Sequence, residues 1–243
     1  MKLTFDLHTH TTFSHGKGSI EDNVKAGITA GLSTIGISDH GPGHLTYGVK
    51  RGKIAVMREE ISRLRPLYPE IEILLGIEAN IINFSGRTDL TDDEINQLDY
   101  MNAGYHFGVL GEEPWVSLRI HSGNLFRQIT NSSSRKLKKL NTELVIRTLN
   151  ENAIKVLTHS GFKEDSDILE IAKTCAARGT YMEISDGHDY LSVEGIKIAS
   201  KTDVKFVIQS DAHIPDKVGS FKNGFERARA AGLDVARIVN LEV

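Results

Sequence analysis

Short apolar segments alternate with longer helical ones along this chain of 243 residues, and this alternation constrains the fold more than any other feature. Segments rich in β-branched and aromatic residues are predicted to be strands, and seven occur, at residues 3–7, 34–38, 71–77, 100–105, 154–158, 180–184 and 205–209. Helical spacing of apolar residues lies between most of them and after the last, at residues 20–30, 53–67, 136–150, 168–177, 193–200 and 221–230. Alternating strands and helices are typical of an α/β fold with a parallel sheet.

Local signals support several of these boundaries. Ser19 precedes the first predicted helix and has an acidic residue three positions later, as an N-terminal capping residue often does. Thr91-Asp-Asp-Glu94 has the spacing of a capping box. Gly31 and Gly179 follow the last apolar positions of their helices, where a left-handed residue commonly ends a helix. These positions are therefore predicted to be helix ends.

The middle of the chain has a less regular pattern. Residues 108–131 are predicted to form an irregular excursion over the mouth of the barrel, and the polar and basic segment 132–139 is predicted to begin a solvated helix. The sequence contains no internal repeat and no low-complexity linker. Because barrels of alternating strands and helices reach this length without dividing, one domain is predicted over residues 1–243.

Composition narrows the range of partners. Hydrophobic residues make up 40% of the chain and charged residues 25%, which are ordinary values for a globular protein. The formal net charge of -3 does not supply the broad positive field that non-specific nucleic-acid binding requires. We therefore expect a small-molecule ligand and no nucleic-acid partner, while the oligomeric state stays open.

The single cysteine and the chain start indicate a compartment. Cys175 falls among the apolar positions of a predicted helix and has no disulfide partner, so it is predicted to be a core residue in a reducing environment. No apolar signal segment follows Met1, and no stretch approaches the roughly 20 apolar residues that span a membrane. The sequence therefore predicts a soluble, cytoplasmic protein.

Histidines and acidic residues are concentrated where the predicted strands end. Because parallel strands point the same way, their carboxyl ends meet on one face, and the side chains there become neighbours. The residues at these ends are His8, His10, His40, Glu78, His106, His159, Glu183, Asp211 and His213. A single histidine in such a place is more often a hydrogen-bonded polar residue than a ligand, but histidines scattered by chance would not collect at strand ends.

Two pairs among these residues share a spacing of two. His8 with His10, and Asp211 with His213, project to the same side if the chain is extended. Imidazole and carboxylate are the ligands that zinc, manganese or iron takes where no cysteine is offered. One ion would leave many of these ligands unused, so the pattern predicts two or three divalent ions.

Other polar residues allow two interpretations each. Asp39 adjoins His40 and points away from the site if the strand alternates strictly, so a structural and a catalytic role are both open. Glu183 and Asp186 fit either contact with metal or substrate, or the capping of a loop. Four basic residues fit either phosphate binding or a solvated surface, namely Lys53, Arg87, Arg119 and Arg127.

Four motifs, in chain order, resemble the PHP (polymerase and histidinol phosphatase) superfamily. They are Asp6-Leu-His8-Thr-His10-Thr, Ser38-Asp39-His40-Gly-Pro42, Gly76-Ile-Glu78-Ala-Asn80 and Ser210-Asp211-Ala-His213. The likeness extends over almost the whole chain and looks closest to the small stand-alone bacterial PHP phosphoesterases. It departs from the family at His159-Ser160-Gly161, where proline often follows the histidine, and in residues 107–134.

The resemblance implies a distorted (β/α)7 barrel, similar to a TIM barrel, with three divalent metal ions at the C-terminal ends of its strands. Zinc is the expected metal, with manganese or iron as alternatives. The implied ligands of the first ion are His8, His10, Glu78 and Asp211, those of the second are Glu78, His106 and His159, and those of the third are His15, His40 and His213.

The activity that the resemblance implies is hydrolysis of a phosphate monoester of a small metabolite. The metal ions would supply hydroxide near neutral pH, and Asp39 or His213 would assist departure of the alcohol. Three other functions fit parts of the pattern: an amidohydrolase, which also begins with His-x-His, a phosphodiesterase or nuclease of the PHP type, and a metal-binding protein without turnover. Three ions per chain would favour the phosphoesterase, whereas one or two ions with amide or lactone turnover would favour the amidohydrolase.

Overall fold

A computed structural model of the protein describes residues 1–130, 132, 134–161 and 164–242. In this part of the chain the strands are β1 (Lys2–Leu3), β2 (Phe5–Asp6), β3 (Thr34–Ile37), β4 (Glu72–Asn80), β5 (Tyr100–Gly104), β6 (Val156–Leu157), β7 (Tyr181–Ser185), β8 (Phe206–Gln209) and β9 (Leu241–Glu242). The α-helices are α1 (Ile20–Thr29), α2 (Lys53–Leu64), α3 (Asp92–Ile95), α4 (Pro114–Thr130), α5 (Arg135–Glu151), α6 (Ile168–Arg178), α7 (Val193–Ala199) and α8 (Lys222–Ala230).

The main sheet is parallel and nearly closed. Its strands follow one another in chain order from β2 to β8, and each pairs in parallel with the next. Beyond the ends of β2 and β8, a parallel bridge joins Thr9 to Ala212, and the amide of His10 donates to the carbonyl of Ala212 at 2.8 Å. This bridge brings the first and last strands of the sheet together, and the predicted TIM-like (β/α)7 barrel is confirmed.

The first predicted strand, 3–7, is divided in two. β1 pairs antiparallel with β9, whereas β2 enters the barrel beside β3. The change of partner occurs at Thr4, whose amide donates to the carbonyl of Asn240 and whose carbonyl accepts from the amide of Ser33. The prediction of one continuous strand was wrong because an apolar pattern does not reveal a change of hydrogen-bonding partner.

A second difference concerns residues 108–131, where α4 replaces most of the predicted irregular excursion. Proline at the first helical position favours a helix start. The apolar periodicity is obscured because α4 buries Ser117 and Asn124 while it exposes Trp115 and Phe126. Asn131, at the end of the predicted excursion, and Ser133, in the segment after it, are outside the described residues.

The predicted helix ends agree with the structure. Ser19 and Thr91 each accept a hydrogen bond from the backbone three residues later in a complete capping box. Gly31 and Gly179 have φ of 76° and 71°, the left-handed conformation expected after a helix. Cys175 is a core residue of α6, and burial raises the pKa of its thiol to about 12. Within the described ranges, no helix combines the length and apolar composition needed to cross a bilayer.

The ring of Tyr100 packs against two other strands of the sheet, and a glycine on each of them, Gly36 on β3 and Gly76 on β4, makes room for it. Its hydroxyl donates to the carbonyl of Leu7 at 2.9 Å. A Cβ added at Gly76, which pairs with Tyr100 in the sheet, would lie inside van der Waals contact with the ring, 2.7 Å from Cε1. A Cβ added at Gly36 would also lie inside van der Waals contact with the phenol of Tyr100. Glycine is therefore needed at both positions, because any side chain there would overlap the ring of Tyr100.

Substituting Gly76→Ala is expected to lower the free energy of unfolding by about 1–3 kcal/mol, the usual effect of overpacking a core. Urea denaturation measures the change. Because the clash is with the Tyr100 ring, the double variant Gly76→Ala/Tyr100→Leu should lose less stability than the sum of the two single variants. Strict additivity would contradict the assignment of the clash.

Candidate metal centre

His8 and His10 lie in extended chain directly after β2. Between them, the hydroxyl of Thr9 donates to the carbonyl of Gly36 on β3 at 2.8 Å. Since side chains alternate in an extended chain, both imidazoles face the opposite side, toward the barrel axis. Both are fully buried, and their ring centroids are 5.0 Å apart. The predicted pairing of these histidines is observed.

Glu78 lies at the middle of the cluster. It occupies β4 itself, which continues to Asn80, rather than following the strand as predicted. Its carboxylate is fully buried and accepts a hydrogen bond from the hydroxyl of Thr158 at 2.7 Å. Four imidazole nitrogens surround its oxygens, namely His40 Nδ1 at 2.8 Å, His159 Nε2 at 2.9 Å, and His8 Nε2 and His106 Nε2 at 3.4 Å each.

Asp211 completes the cluster from the side of β8. One carboxylate oxygen lies 3.2 Å from His10 Nε2 and 3.5 Å from His8 Nε2. The backbone of Asp211 has φ of 50°, and that of His159 has φ of 33°. Left-handed conformations at non-glycine residues cost about 1–3 kcal/mol and persist where surrounding structure imposes them. Both strained residues turn a donor toward the same centre.

The donors form overlapping groups. Among the described residues, three sets of ligand atoms lie within 4.8 Å of one another: His8 with His10 and Asp211, His40 with Glu78 and His106, and His10 with His40 and His213. The ring of His15 stands 4.2 Å from that of His213 and 4.9 Å from that of His40. All nine residues predicted as ligands thus gather at one face of the barrel. The grouping differs from the implied one, because His10 and His40 each take part in two sets.

The chemistry of the donors fits divalent ions. Among the nine predicted ligands, five buried donor atoms make no hydrogen bond of acceptable geometry, namely His8 Nε2, His10 Nδ1, His40 Nδ1, His159 Nδ1 and Glu78 Oε2. Buried polar atoms are almost always satisfied, so such a cluster needs an explanation. Imidazole and carboxylate groups that converge in this way can bind zinc, manganese or iron.

Burial and charge set the protonation of the histidines. Burial lowers the pKa of His10 and of His40 to about 3, so both are neutral and ready to bind a metal. Burial also acts to lower the pKa of His8, but Glu183 and Glu78 outweigh it and raise this pKa well above its ordinary value. In the metal-free protein His8 is therefore protonated at neutral pH.

Metal loading is expected to release about one proton from His8, because an imidazole must lose its proton to bind through that nitrogen. The sign is that affinity falls as the pH is lowered, since protons then compete more strongly for His8. His10 and His40, whose pKa values burial lowers to about 3, are already neutral near pH 7 and contribute no release there. Calorimetric titration of metal into the stripped protein, in buffers of different ionisation enthalpy, measures the release. A binding enthalpy independent of buffer would contradict this prediction.

Buried polar residues orient the predicted ligands from behind. Glu183 accepts from the backbone amide of His159 at 2.8 Å and lies 2.5 Å from His8 Nδ1. Asn80 Oδ1 lies 2.8 Å from His106 Nδ1, and its own amide donates to Asp89 at 2.7 Å. Contacts of this kind fix the tautomer and the direction of a ligating imidazole. The structure thus places Glu183 behind His8 rather than among the converging donors.

Asp39 faces away from the centre, as strict alternation predicts. Its carboxylate accepts hydrogen bonds from the amide of Thr11 at 2.7 Å and from the hydroxyls of Thr11 and Ser14 at 2.5 Å each. These bonds hold the loop that carries His15. The contacts indicate a positioning role, and the assignment of Asp39 as a catalytic residue stays a prediction.

The remaining polar candidates lie outside the centre. Asp186 accepts from the amide of Gly224 at 3.0 Å and so ties the loop after β7 to α8, the loop-capping alternative. The cavity at the centre has a volume of about 130 Å³ and is lined by His15, His40, Tyr47, Glu78, His106, His159, His188, Tyr190, Asp211 and His213. The four basic residues that fitted either phosphate binding or a solvated surface are absent from this described lining, and three of them, Lys53, Arg87 and Arg119, are exposed.

The structure adds three residues that the strand-end pattern did not indicate. Tyr47, His188 and Tyr190 line the cavity although they do not end strands. All three occupy loops that follow barrel strands, the positions that commonly surround a site of this kind. That rule was available from the sequence, but it does not tell which residues of a loop turn inward.

Known proteins are similar to this chain in sequence. The PHP domain family model matches residues 6–187. A probable phosphatase of Thermoanaerobacter sp. (strain X514) is 26% identical over 258 residues, covering 100% of this chain and 92% of the relative. A probable phosphatase of Clostridium acetobutylicum is 28% identical over 236 residues, covering 91% and 83%.

A solved structure supports the fold. The histidinol phosphate phosphatase from Lactococcus lactis, complexed with zinc, L-histidinol and phosphate, has a TM-score of 0.61 at 15% identity and covers 95% of this chain and 94% of its own. Asp211 and His213 lie beyond the residues matched by the family model, yet the structure brings them to the same centre. The family model covers most of the chain, the barrel agrees, and this protein belongs to the PHP domain family.

Proposed function

We propose that this protein is a metal-dependent phosphatase that hydrolyses a phosphate monoester of a small metabolite at a centre of three divalent ions. The observation that carries the proposal is the overlap of the donor groups around Glu78. Three sets of ligand atoms are present, and they are linked because His10 and His40 each belong to two of them. A single ion would not use all three sets. The names of the whole-length relatives, probable phosphatases, point to the same reaction.

The proposed ligands are the nine residues His8, His10, His15, His40, Glu78, His106, His159, Asp211 and His213. When bound, divalent ions lower the pKa of coordinated water and neutralise charge on phosphoryl oxygens. Zinc suits this mixture of imidazole and carboxylate, and manganese and iron are the alternatives.

The chain's own residues would orient the reactants. Asp39 holds the His15 loop through Thr11 and Ser14. His213 is partly exposed at the rim, and its Nδ1 lies 2.9 Å from the carbonyl of Asp211, so the proton resides on Nδ1 and Nε2 is the nitrogen available to other groups. We propose that His213 acts through Nε2 as a ligand on the exposed side of the centre, where the phosphate of the substrate would enter, with Asp39 acting through the loop.

The cavity also constrains the substrate. No lysine or arginine is among its described lining residues, so binding of the phosphate depends on the ions and on imidazoles. A volume of about 130 Å³ accommodates a phosphate group but not a nucleic-acid strand, and the net charge of -3 opposes polyanion binding. Both features favour a small monoester.

Metal analysis combined with phosphate release tests the proposal. The purified protein, loaded with zinc, manganese or iron(II), should contain three ions per chain by mass spectrometry. It should release phosphate from monoesters faster than it cleaves bis(4-nitrophenyl) phosphate. Faster diester cleavage would instead identify a phosphodiesterase, whereas amide or lactone turnover with one or two ions would identify an amidohydrolase. A loaded protein without any turnover would leave a metal-binding protein.

A further inference from the structure

Helix α4 exposes a row of apolar side chains along its length. Ten large apolar side chains are exposed in the described part of the chain, and half of them lie on this one helix. Apolar groups scattered singly over a surface need no explanation, whereas a continuous patch marks a surface that a partner covers. The row, called the α4 stripe below, consists of Trp115, Leu118, Leu125, Phe126 and Ile129.

The polar side of α4 faces the protein, which reverses the usual arrangement of a surface helix. Asn124 is fully buried and exchanges hydrogen bonds with Asn141 of α5, at 2.8 and 3.2 Å. Ser117, also buried, accepts from the amide of Gly111 at 3.0 Å. Turning the stripe inward would break these buried bonds and leave their partners unsatisfied, which is costly. The stripe is therefore held facing outward.

The spacing along the stripe is that of a seam between two helices. Its positions recur at intervals of three, four, three and four residues, at Trp115, Leu118, Ser122, Leu125 and Ile129. This is the repeat of 3.5 residues with which two helices pack side by side. The one polar position, Ser122, is small and lies at the middle. The stripe therefore fits another helix of similar length.

The area of the stripe suits pairing with a large partner surface. Because an aromatic side chain alone offers about 150–250 Å², the five exposed side chains together present on the order of 600 Å². This is the upper end of the roughly 300–600 Å² of the largest apolar patch on a typical monomer. With the polar residues along its edges, the stripe approaches the roughly 800 Å² that each partner contributes to a stable interface.

The two ends of the stripe carry opposite charges. Glu112 and Glu113 are exposed next to the Trp115 end. Lys136 of α5 is exposed at the other end, where it borders the same groove as Phe126. If a second copy packs antiparallel on the stripe, the acidic end of each helix lies beside the basic end of the other. An anionic membrane would attract one end and repel the other, so the charges favour a second copy of this chain.

We propose that the protein forms a two-fold homodimer in which the α4 stripes of the two copies pack antiparallel. A two-fold interface brings the same surface of each copy together, so that surface must be complementary to itself. A stripe whose charge changes sign from end to end meets this condition only in the antiparallel direction. All nine proposed metal ligands lie within one chain, so this inference does not depend on the proposed phosphatase function.

Sedimentation equilibrium of the full chain measures the association. The wild type is expected to have twice the chain mass of 26.8 kDa at micromolar concentration. Leu125→Glu places a charge in the seam and should raise the dimer Kd by roughly 100-fold or more. Leu67→Glu is the matched control, because Leu67 is an exposed leucine after α2 and away from the stripe, and it should leave the Kd unchanged. Circular dichroism checks that both variants fold.

A charge exchange tests the antiparallel direction. Glu113→Lys and Lys136→Glu should each raise the Kd by roughly fivefold, since an exposed ion pair contributes little and each contact occurs twice. The double variant Glu113→Lys/Lys136→Glu should regain the wild-type Kd, because both copies then carry both changes. Trp115 is the only tryptophan of the chain, so its emission should shift to shorter wavelength as the protein associates.

Three outcomes would overturn the homodimer. They are a wild type that stays monomeric at every accessible concentration, a Leu125→Glu variant as dimeric as the wild type, and a double charge variant that is not rescued. A monomeric chain whose Trp115 emission shifts only when vesicles of phosphatidylcholine and phosphatidylglycerol are added would also overturn it, and would assign the stripe to a membrane surface.

Discussion

Glu78→Gln is expected to reduce phosphatase kcat/KM by roughly 10³-fold or more, equivalent to about 4 kcal/mol of transition-state stabilisation. The carboxylate is the shared element of the cluster, with imidazole nitrogens of His40 and His159 within 3 Å of its oxygens. Burial acts to raise its pKa, but neighbouring imidazoles, His106 foremost, outweigh burial and hold this pKa well below the ordinary value, so the group is ionised at neutral pH. A neutral amide could not supply that charge to the two ions that we propose Glu78 shares.

Metal content and phosphate release measure the result together. The substituted glutamine side chain keeps the shape of glutamate, so the fold should survive, and thermal unfolding checks this. Glu94→Gln is the matched control, because Glu94 is another buried glutamate, but its carboxylate caps α3 and pairs with Arg51 outside the centre. Full metal content and near-normal turnover in Glu78→Gln would contradict the proposal that Glu78 is a ligand shared by two ions.

Stripping the metal ions is expected to bring activity to the uncatalysed background, because the described lining offers no lysine or arginine to replace their charge. Ions that bind only the folded state also stabilise it: at a free concentration one hundredfold above the Kd, each contributes about 2.7 kcal/mol. For a chain of this size each ion then raises Tm by roughly 5–10 °C.

Dialysis against a chelator, followed by calorimetry and an activity assay, measures both effects. Adding back zinc or manganese should restore turnover and Tm together, while magnesium should restore little, because it prefers oxygen ligands to imidazole. Glu78→Gln serves as the second reference, since its Tm should respond less to added metal. Turnover that survives complete metal removal would reject a metal-dependent mechanism.

Two features of the site explain its architecture. Burial keeps His10 and His40 neutral by lowering the pKa of each, which removes proton competition at two of the proposed ligand positions. His159 and Asp211 accept a left-handed backbone, which is unfavourable locally. The surrounding barrel maintains both the neutral imidazoles and the strained backbone. Part of the folding free energy of the barrel therefore goes into holding these side chains in position before an ion binds.

Most of the architecture could be predicted because it depends on short-range patterns. The alternation of apolar segments led to the parallel barrel, and Ser19 and Gly179 marked helix ends by their side-chain and backbone chemistry. The exceptions have a common cause. The division of the first strand at Thr4 and the helix α4 with exposed Trp115 both depend on which distant segment lies alongside, and hydrophobic periodicity does not contain that information.

The sequence by itself determined the residue types of the site and the placement of most of them at or near strand ends, since the period of a strand and the common direction of parallel strands are local properties. Only the tertiary structure decided which donors are neighbours, that Asp39 turns to the His15 loop, and that Tyr47 and Tyr190 stand on opposite sides of the cavity. Those relations depend on closure of the barrel and on loops held by contacts from remote segments, which no local pattern encodes.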